Sequence, residues 1–209
     1  MTRKLTDYPS LTLLQESLDG MIDINRIFGR IAPFHLEVGS GKGTFLVHEA
    51  KAHPENNYLG IEWANKFYRH AVDRIGRWNL TNVRLLRTDA ETFLRDHVPD
   101  ASVDGVHVYF PDPWPKKRHH KRRFFDVANL EQIIRVLKDN GLLRLATDHA
   151  GYFEQITQVL AGFETHFDEV SFLPTAGAEA GEWVGTNFER KYLKEERAVY
   201  KMALCKRHL

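Results

Sequence analysis

The sequence predicts an α/β fold in which a mostly parallel sheet is flanked by helices. Between residues 34 and 162, five short apolar segments alternate with five segments of helical character, which is typical of parallel strands joined by crossover helices. The first apolar segment runs directly into a glycine-rich loop, and an acidic residue lies at or just after the end of each of the five. Because such sheets bind ligands at the carboxyl ends of their strands, these acids are candidates for a functional site.

The predicted elements follow one another in a regular order. Strands are predicted at FHLEV (34–38), NYLGIE (57–62), VRLLRTD (83–89), SVDGVHVYF (102–110) and GLLRLATD (141–148). Helices are predicted at residues 44–53, 63–79, 90–97, 124–138 and 149–162. Apolar residues recur at helical spacing in the fourth helix, and we expect Asn140-Gly141 to end it.

The two ends of the chain are less regular. Residues 1–32 show no clear periodicity, so we expect them to form a flexible N-terminal appendage to a single domain that covers residues 33–209. Residues 174–187 form a predicted loop rich in Gly and Ala. The segment AVYKMALCK (198–206) is a predicted late strand with alternating faces.

The composition is typical of a globular protein, and we expect a cytoplasmic location. The chain is 43% hydrophobic and 27% charged, with no apolar signal core at its start and no apolar run of membrane length. Cys205 is the only cysteine, and no group of Cys and His has zinc-site spacing, so we expect neither a disulfide nor a metal. Both a monomer and a homodimer remain compatible with the sequence.

Positive charge is concentrated in two segments. Residues 112–123 carry six Lys or Arg against one acid, and residues 186–209 carry seven against three, although the net charge of the chain is only +1. Two basic segments on an otherwise acidic protein indicate a polyanion bound on one face, and two solvated charge runs are the alternative. The first segment belongs to YFPDPWPKKRHHKRR (109–123), which we interpret as an active-site lip that meets RNA.

The glycine loop after the first strand predicts a site for a nucleoside-containing cofactor. Its glycines allow close backbone approach to a ligand, and they are Gly39, Gly41 and Gly43. Glu62 follows about twenty residues on, where ribose hydroxyls could donate to it. A dinucleotide fits less well, because Thr44 replaces the third glycine of that fingerprint and Glu37 would lie beside a pyrophosphate. S-adenosylmethionine carries an ammonium and a ribose but no phosphate, so it removes the conflict.

Other residues at the strand ends have more than one interpretation. Asp89 could accept from the adenine amino group, but Asp89 and Asp148 could instead cap the helices that follow them. Asp112 lies between two prolines, which makes its backbone stiff. Trp114 could stack on an extruded base or could act as a lid over the sheet edge.

The motifs LEVGSGKG, GIE, TDA, YFPDPWPKKRHHKRR, TDH and TNFE together resemble the tRNA (guanine-N7)-methyltransferase family over roughly residues 34 to 205. The resemblance implies a Rossmann-like class I methyltransferase with a central, mostly parallel sheet of seven strands, the last of them antiparallel. It also implies methyl transfer from S-adenosylmethionine to N7 of the variable-loop guanine in tRNA.

The same resemblance implies roles for individual residues. The cofactor site would be lined, besides the three glycines, by Glu37, Glu62, Asp89 and Asp112, and Asp112 would be the catalytic residue. The substrate guanine or its nucleotide would be contacted by Lys116, Asp148, Thr186, Asn187, Phe188 and Glu189. The RNA would be contacted by Arg118, His119, His120, Lys121, Arg122 and Arg123.

The sequence departs from the family pattern at Asn187, where a basic residue is common, and at His149, where an aromatic or amide side chain is common. Three other functions remain as alternatives. They are an exocyclic-amine methyltransferase, since DPW resembles the D-P-P-[YFW] motif, a non-catalytic RNA-binding protein with a methyltransferase fold, and a nicotinamide dehydrogenase.

Overall fold

The computed structural model describes residues 4–208, apart from the side chain of Ser17. Its strands are β1 (Thr12–Leu13), β2 (Phe34–Val38), β3 (Asn57–Ile61), β4 (Val83–Leu86), β5 (Val103–Tyr109), β6 (Leu137–Thr147), β7 (Phe167–Val170) and β8 (Tyr200–Lys206). Its α-helices are α1 (Ile24–Phe28), α2 (Thr44–Ala52), α3 (Asn65–Arg77), α4 (Ala90–His97), α5 (Val127–Val136), α6 (Ala150–Ala161) and α7 (Asn187–Lys194). Short 3-10 helices lie at Pro9–Leu11, Gln15–Ser17 and Lys117–Arg122.

The strands form one sheet in the order β1-β4-β3-β2-β5-β6-β8-β7. Neighbouring strands are parallel except at β8, which is antiparallel to both β6 and β7. The predicted α/β fold with an antiparallel last strand is therefore confirmed. Within residues 4–208 the sheet has eight strands, one more than expected.

Apolar residues cover both faces of the sheet. All five residues of β3 are buried, as expected for a central parallel strand that is covered by helices on both sides. The buried side chains form two apolar clusters, one around Leu36, Val106 and Ile133 and the other around Phe45 and Ile75. This core makes the sheet a rigid support for the loops at its carboxyl edge.

The boundary between α5 and β6 differs from the prediction. Helix α5 begins at Val127 because Asp126 accepts a hydrogen bond from the backbone N of Asn129 at 2.9 Å and caps the helix. The helix ends at Val136, and β6 begins at once, where Leu137 pairs with Val103. The prediction that Asn140-Gly141 ends the helix is therefore wrong. Asn140 has a φ of 64° and lies inside β6, where the register with β5 shifts.

The segment before β2 packs on the rest of the protein at several points. Leu11 and Ile22 are buried, and the backbone N of Thr6 donates to Asp73 Oδ1 in α3 at 3.1 Å. The ring of Tyr8 lies directly against Gly76, where any side chain would collide with it. No helix in the described part of the chain is long and apolar enough to cross a membrane.

Candidate active site

The carboxyl ends of five neighbouring strands meet at one edge of the sheet, called here the carboxyl edge. Along the order β4, β3, β2, β5 and β6, these ends carry Asp89, Glu62, Glu37, Asp112 and Asp148. The parallel arrangement thus brings the predicted acids to the same side of the sheet, although they are far apart in the sequence.

The glycine loop between β2 and α2 has a backbone that glycine adopts readily. Gly39, Gly41 and Gly43 have φ values of 74°, 55° and 68°. The backbone N of Gly39 and of Ser40 both donate to the carbonyl of Ile61 at 2.9 Å, which ties the loop to β3. A Cβ on Gly39 or Gly41 would meet open space, so the loop leaves room for a ligand there.

Glu62 connects this loop to the end of β3. Its Oε2 accepts from the backbone N of Gly41 at 2.8 Å, and its Oε1 accepts from the backbone N of Ala64 at 2.7 Å. Burial raises the pKa of Glu62, the two backbone hydrogen bonds oppose that rise, and the charge of Asp112 adds to it. Each carboxylate oxygen can accept a second hydrogen bond, so the predicted contact with ribose hydroxyls is compatible with this arrangement.

Glu37 is the buried acid of the site. The residue is 4% exposed, and among the described residues no donor contacts its Oε2 or the buried Oγ of neighbouring Ser40. Burial, followed by the charges of Glu62 and Glu49, raises the pKa of Glu37 well above its usual range. Since buried polar atoms rarely lack a partner, this pair fits a ligand that supplies donors and positive charge. The ammonium of S-adenosylmethionine has both properties.

Asp89 has a structural contact of its own. Its Oδ1 accepts from the backbone N of Thr92 at 2.9 Å, so Asp89 is the N-cap of α4. The side chain is exposed at the carboxyl edge beside the end of β4. A cap uses one oxygen, and the other can still accept from a ligand.

Asp112 lies in a short loop with a strained backbone. The residues on either side of the Pro-Asp-Pro sequence, Phe110 and Trp114, have φ values of 51° and 41°, which costs a non-glycine residue roughly 1–2 kcal/mol. The Asp112 side chain is exposed. The charge of Asp112 raises the pKa of Glu62, although less than burial does, so the two carboxyl groups lie within electrostatic reach of each other.

Arg123 supports this loop from inside the protein. It is 5% exposed, its Nε donates to the carbonyl of Pro113 at 2.8 Å, and its Nη1 donates to Gln155 Oε1 at 2.6 Å. The guanidinium also lies over the ring of Tyr152, with Cζ 4.9 Å from the centroid. Arg123 therefore differs from the expectation that it contacts RNA, because its donors face protein acceptors.

The rest of the basic tract faces solvent. Lys117–Arg122 form the 3-10 helix, and the exposed cations of the tract are Lys116, Lys117, Arg118, Lys121 and Arg122. His119 and His120 are half-buried. Arg122 Cζ lies 4.9 Å from the ring centroid of Trp114, and the edge of His119 packs on the same ring. Trp114 thus connects the 3-10 helix, through Arg122 and His119, to the loop that carries Asp112.

Asp148 has a partner that the sequence did not predict. Its side chain is 6% exposed and forms an ion pair with Arg197 Nη2. Arg197 Cζ lies 4.3 Å from the ring centroid of Tyr192, and Tyr192 in turn packs against Phe110 and Phe188. Burial raises the pKa of Tyr192, and the charges of Asp148 and Asp112 both contribute, so Tyr192 lies within electrostatic reach of both acids.

The TNFE motif has two inward and two outward side chains. Thr186 caps α7 by accepting from the backbone N of Glu189 at 3.1 Å. Glu189 is fully buried, and its carboxylate accepts from the backbone N of Trp183, Val184 and Gly185 at 2.7–2.8 Å. Asn187 and Phe188 are exposed. His149 caps α6, since its Nδ1 accepts from the backbone N of Tyr152 at 3.1 Å.

Tyr192 and Arg197 are the residues that sequence reasoning missed at this site. The basic segment that begins at residue 186 contains both, and Arg197 was counted there only as one of its charges. Helix α7, which carries Tyr192, begins at Asn187 and was not predicted.

A mostly parallel sheet with an antiparallel strand β8, a glycine loop after its first long strand and five acids at its carboxyl edge is typical of an α/β methyltransferase. A family model described as "Putative methyltransferase" matches residues 31–202. The solved structure of an antibiotic-related methyltransferase shares the fold, with a TM-score of 0.59 and 18% identity, over 90% of this chain and 96% of the other.

Curated relatives define the family more closely. The tRNA (guanine-N(7)-)-methyltransferase of Alkalilimnicola ehrlichii is 39% identical over 201 residues, which are 96% of this chain and 84% of the relative. That of Rhodopirellula baltica is 36% identical in an alignment of 208 residues that covers 96% of this chain and 76% of the relative. The chain belongs to the tRNA (guanine-N7)-methyltransferase family.

Proposed function

We propose that this protein transfers a methyl group from S-adenosylmethionine to N7 of the variable-loop guanine in tRNA. The observation that carries the proposal is the buried carboxyl group of Glu37 beside the glycine loop, whose Oε2 has no donor among the described residues and which lies within electrostatic reach of Glu62. When bound there, S-adenosylmethionine supplies an electrophilic methyl group on a sulfonium. Glu37 and Glu62 bind and orient it through its ammonium and ribose.

The nucleophile needs no general base. Guanine N7 is an acceptor with a lone pair in the plane of the ring and carries no proton in the neutral base. The protein therefore has to hold N7 in place and to favour a ring that becomes positively charged. Positioning of two reactants can supply up to roughly 7–11 kcal/mol of the barrier.

Asp112 favours the charge that develops on the base. Its backbone is held by the prolines on either side and by the hydrogen bond from Arg123 to the carbonyl of Pro113. A fixed negative charge next to a ring that becomes cationic stabilises the transition state more than the ground state. Asp148 accepts from N1–H and the 2-amino group of guanine, and an adenine would present an unprotonated acceptor to it instead.

The exposed cations of the basic tract bind tRNA phosphates. All but Lys116 lie on the 3-10 helix, which packs on Trp114 through Arg122 beside the Asp112 loop, so bound RNA is delivered to the carboxyl edge. Such contacts contribute affinity rather than sequence preference. Because tRNA is the substrate, we propose that the enzyme works in the cytoplasm.

A methyl-transfer assay tests the proposal. Unmodified bulk tRNA and labelled S-adenosylmethionine are incubated with the protein, and the labelled nucleoside is identified after digestion. We expect N7-methylguanosine; an exocyclic N-methyl nucleoside would show a different reaction, and no label would reject catalysis on tRNA. In Asp112→Asn we expect kcat to fall about 10²–10³-fold while cofactor binding weakens much less. Near-normal turnover in that variant would exclude the role given to Asp112.

A further inference from the structure

The guanidinium of Arg197 makes two contacts that a bound base would also make. It pairs with Asp148, whose side chain is 6% exposed, and its Cζ lies 4.3 Å from the centroid of the Tyr192 ring. Stacking on an aromatic ring and donating to an acceptor are the usual contacts of a base that a protein holds outside a duplex. Arg197 thus fills both halves of a base-binding site in the free protein.

Guanine carries the same arrangement of atoms as this guanidinium. Its N1–H and its 2-amino group are attached to one carbon and form a planar pair of donors, and such a pair matches a carboxylate. We infer that Arg197 is an internal mimic of the substrate guanine, which closes the site on Asp148 until the base displaces it. This inference rests on the proposed function, in which Asp148 accepts from guanine.

The surroundings of Arg197 allow the exchange. The side chain is 41% exposed, and its Nη1 lies 3.6 Å from Glu195 Oε2, a second acid that can keep the displaced cation. The backbone stays in place, because the N of Arg197 donates to the carbonyl of Tyr192 at 2.9 Å. Because the Arg197 end of the pair is partly exposed, solvent and Glu195 can take up its charge while a competing donor replaces it at Asp148.

The exchange links the opening of the site to the donor pattern of the base that Asp148 meets. When Arg197 leaves, Asp148 loses the donors of the guanidinium. A guanine replaces them with its own N1–H and 2-amino group, so the buried carboxylate stays paired. An adenine leaves it facing an acceptor, which costs the desolvation of an unpaired charge. Only a base with the donor pattern of guanine can therefore open the site at low cost.

The experiment compares nucleoside binding by Arg197→Ala, Arg197→Lys and the wild type. Guanosine and adenosine are titrated by NMR, because neither has a phosphate whose contact with Arg197 could confuse the result. We expect Arg197→Ala to bind guanosine about fivefold tighter, which corresponds to the loss of a competing ion pair. Adenosine has to displace the same side chain in the wild type, so it should gain by a similar factor and remain the weaker ligand. Arg197→Lys, which keeps the charge but not the planar fork, should give an intermediate guanosine affinity.

Arg207→Ala is the matched control. Arg207 forms a similar pair with Asp168 of β7, is 44% exposed, and lies outside the proposed site, so its removal should leave guanosine affinity unchanged. Guanosine binding that is unchanged, weaker or undetectable in both Arg197 variants would overturn the inference. Wild-type tRNA methylation, measured in parallel, separates the two failures. If it yields N7-methylguanosine, only the inference on Arg197 fails, and if it yields no methylated tRNA, the proposed function fails as well.

Discussion

Replacement of Arg123 by Ala should unfold the protein more easily rather than weaken its contact with RNA. The side chain is 5% exposed and makes hydrogen bonds to the carbonyl of Pro113 and to Gln155. A hydrogen bond to a charged group contributes about 1.5–3 kcal/mol, so the loss of two costs roughly 3–6 kcal/mol. That is a large part of the 5–15 kcal/mol by which domains are usually stable.

Urea unfolding and the salt dependence of tRNA binding distinguish the two roles. For Arg123→Ala we expect a much lower urea midpoint, a lower kcat because the Asp112 loop loses its support, and an unchanged salt slope for tRNA affinity. The exposed neighbour Arg122 is the matched control. Arg122→Ala should keep its free energy of unfolding within about 0.5 kcal/mol of the wild-type value, and its tRNA affinity should lose about one unit of salt slope. If Arg123→Ala keeps wild-type stability and flattens the salt slope, the buried role is refuted.

Three further predictions concern the glycine loop, the buried acid and a pair of buried histidines. Gly43→Ala should lower the free energy of unfolding by about 2 kcal/mol, because φ is 68° and the new Cβ would lie 3.1 Å from Ala71 Cβ. In Gly41→Ala the new Cβ meets open space, so the loss should be about 1 kcal/mol. Urea titrations that rank the two variants in reverse would contradict this. Binding of S-adenosylmethionine should release a proton from Glu37, because burial raises the pKa of this residue and a cationic ligand lowers it. The affinity for S-adenosylmethionine should therefore rise with pH. Calorimetry in two buffers of different ionisation enthalpy measures the number of protons released, and no release or an uptake would argue against this. Burial lowers the pKa of His35 to about 4, and its Nδ1 lies 3.1 Å from His107 Nε2. Below pH 6.5 the unfolded chain takes up a proton at His35 and the folded chain does not, so the contribution of His35 to the free energy of unfolding is complete above pH 6.5. About 3 kcal/mol of that free energy is lost as the pH falls to about 4. Urea midpoints that stay constant from pH 7 to 5 would show that the pair does not titrate in this way.

Most of the fold could be predicted because its signals are local. Each central strand is a short apolar run, each helix follows at once, and the glycines mark the first turn. The same local signals placed the five acids at the carboxyl edge, since a parallel sheet fixes where strands end. The prediction failed at Asn140-Gly141, where a pair typical of helix ends instead lies at an irregular pairing of β6 with β5.

The direction of a side chain within a charged run could not be predicted. Arg122 and Arg123 are adjacent and identical in the sequence, yet one is exposed and the other is buried on Gln155. The pair of Asp148 with Arg197 is equally hidden, because it depends on how α7 and the loop before β8 return to the carboxyl edge. Such contacts depend on tertiary packing, and no pattern of spacing in the chain encodes them.

Strand β1 protects the sheet although it has only two residues. Thr12 and Leu13 pair with Leu85 and Leu86, so the second half of β4 is not left open to other molecules. Exposed strand edges recruit further strands and promote aggregation. A truncated protein that begins after Leu13 would expose the unpaired edge of β4 to a second copy of itself, and it would tend to aggregate through this edge. The N-terminal segment therefore limits self-association, and we expect variants that lack it to precipitate during expression.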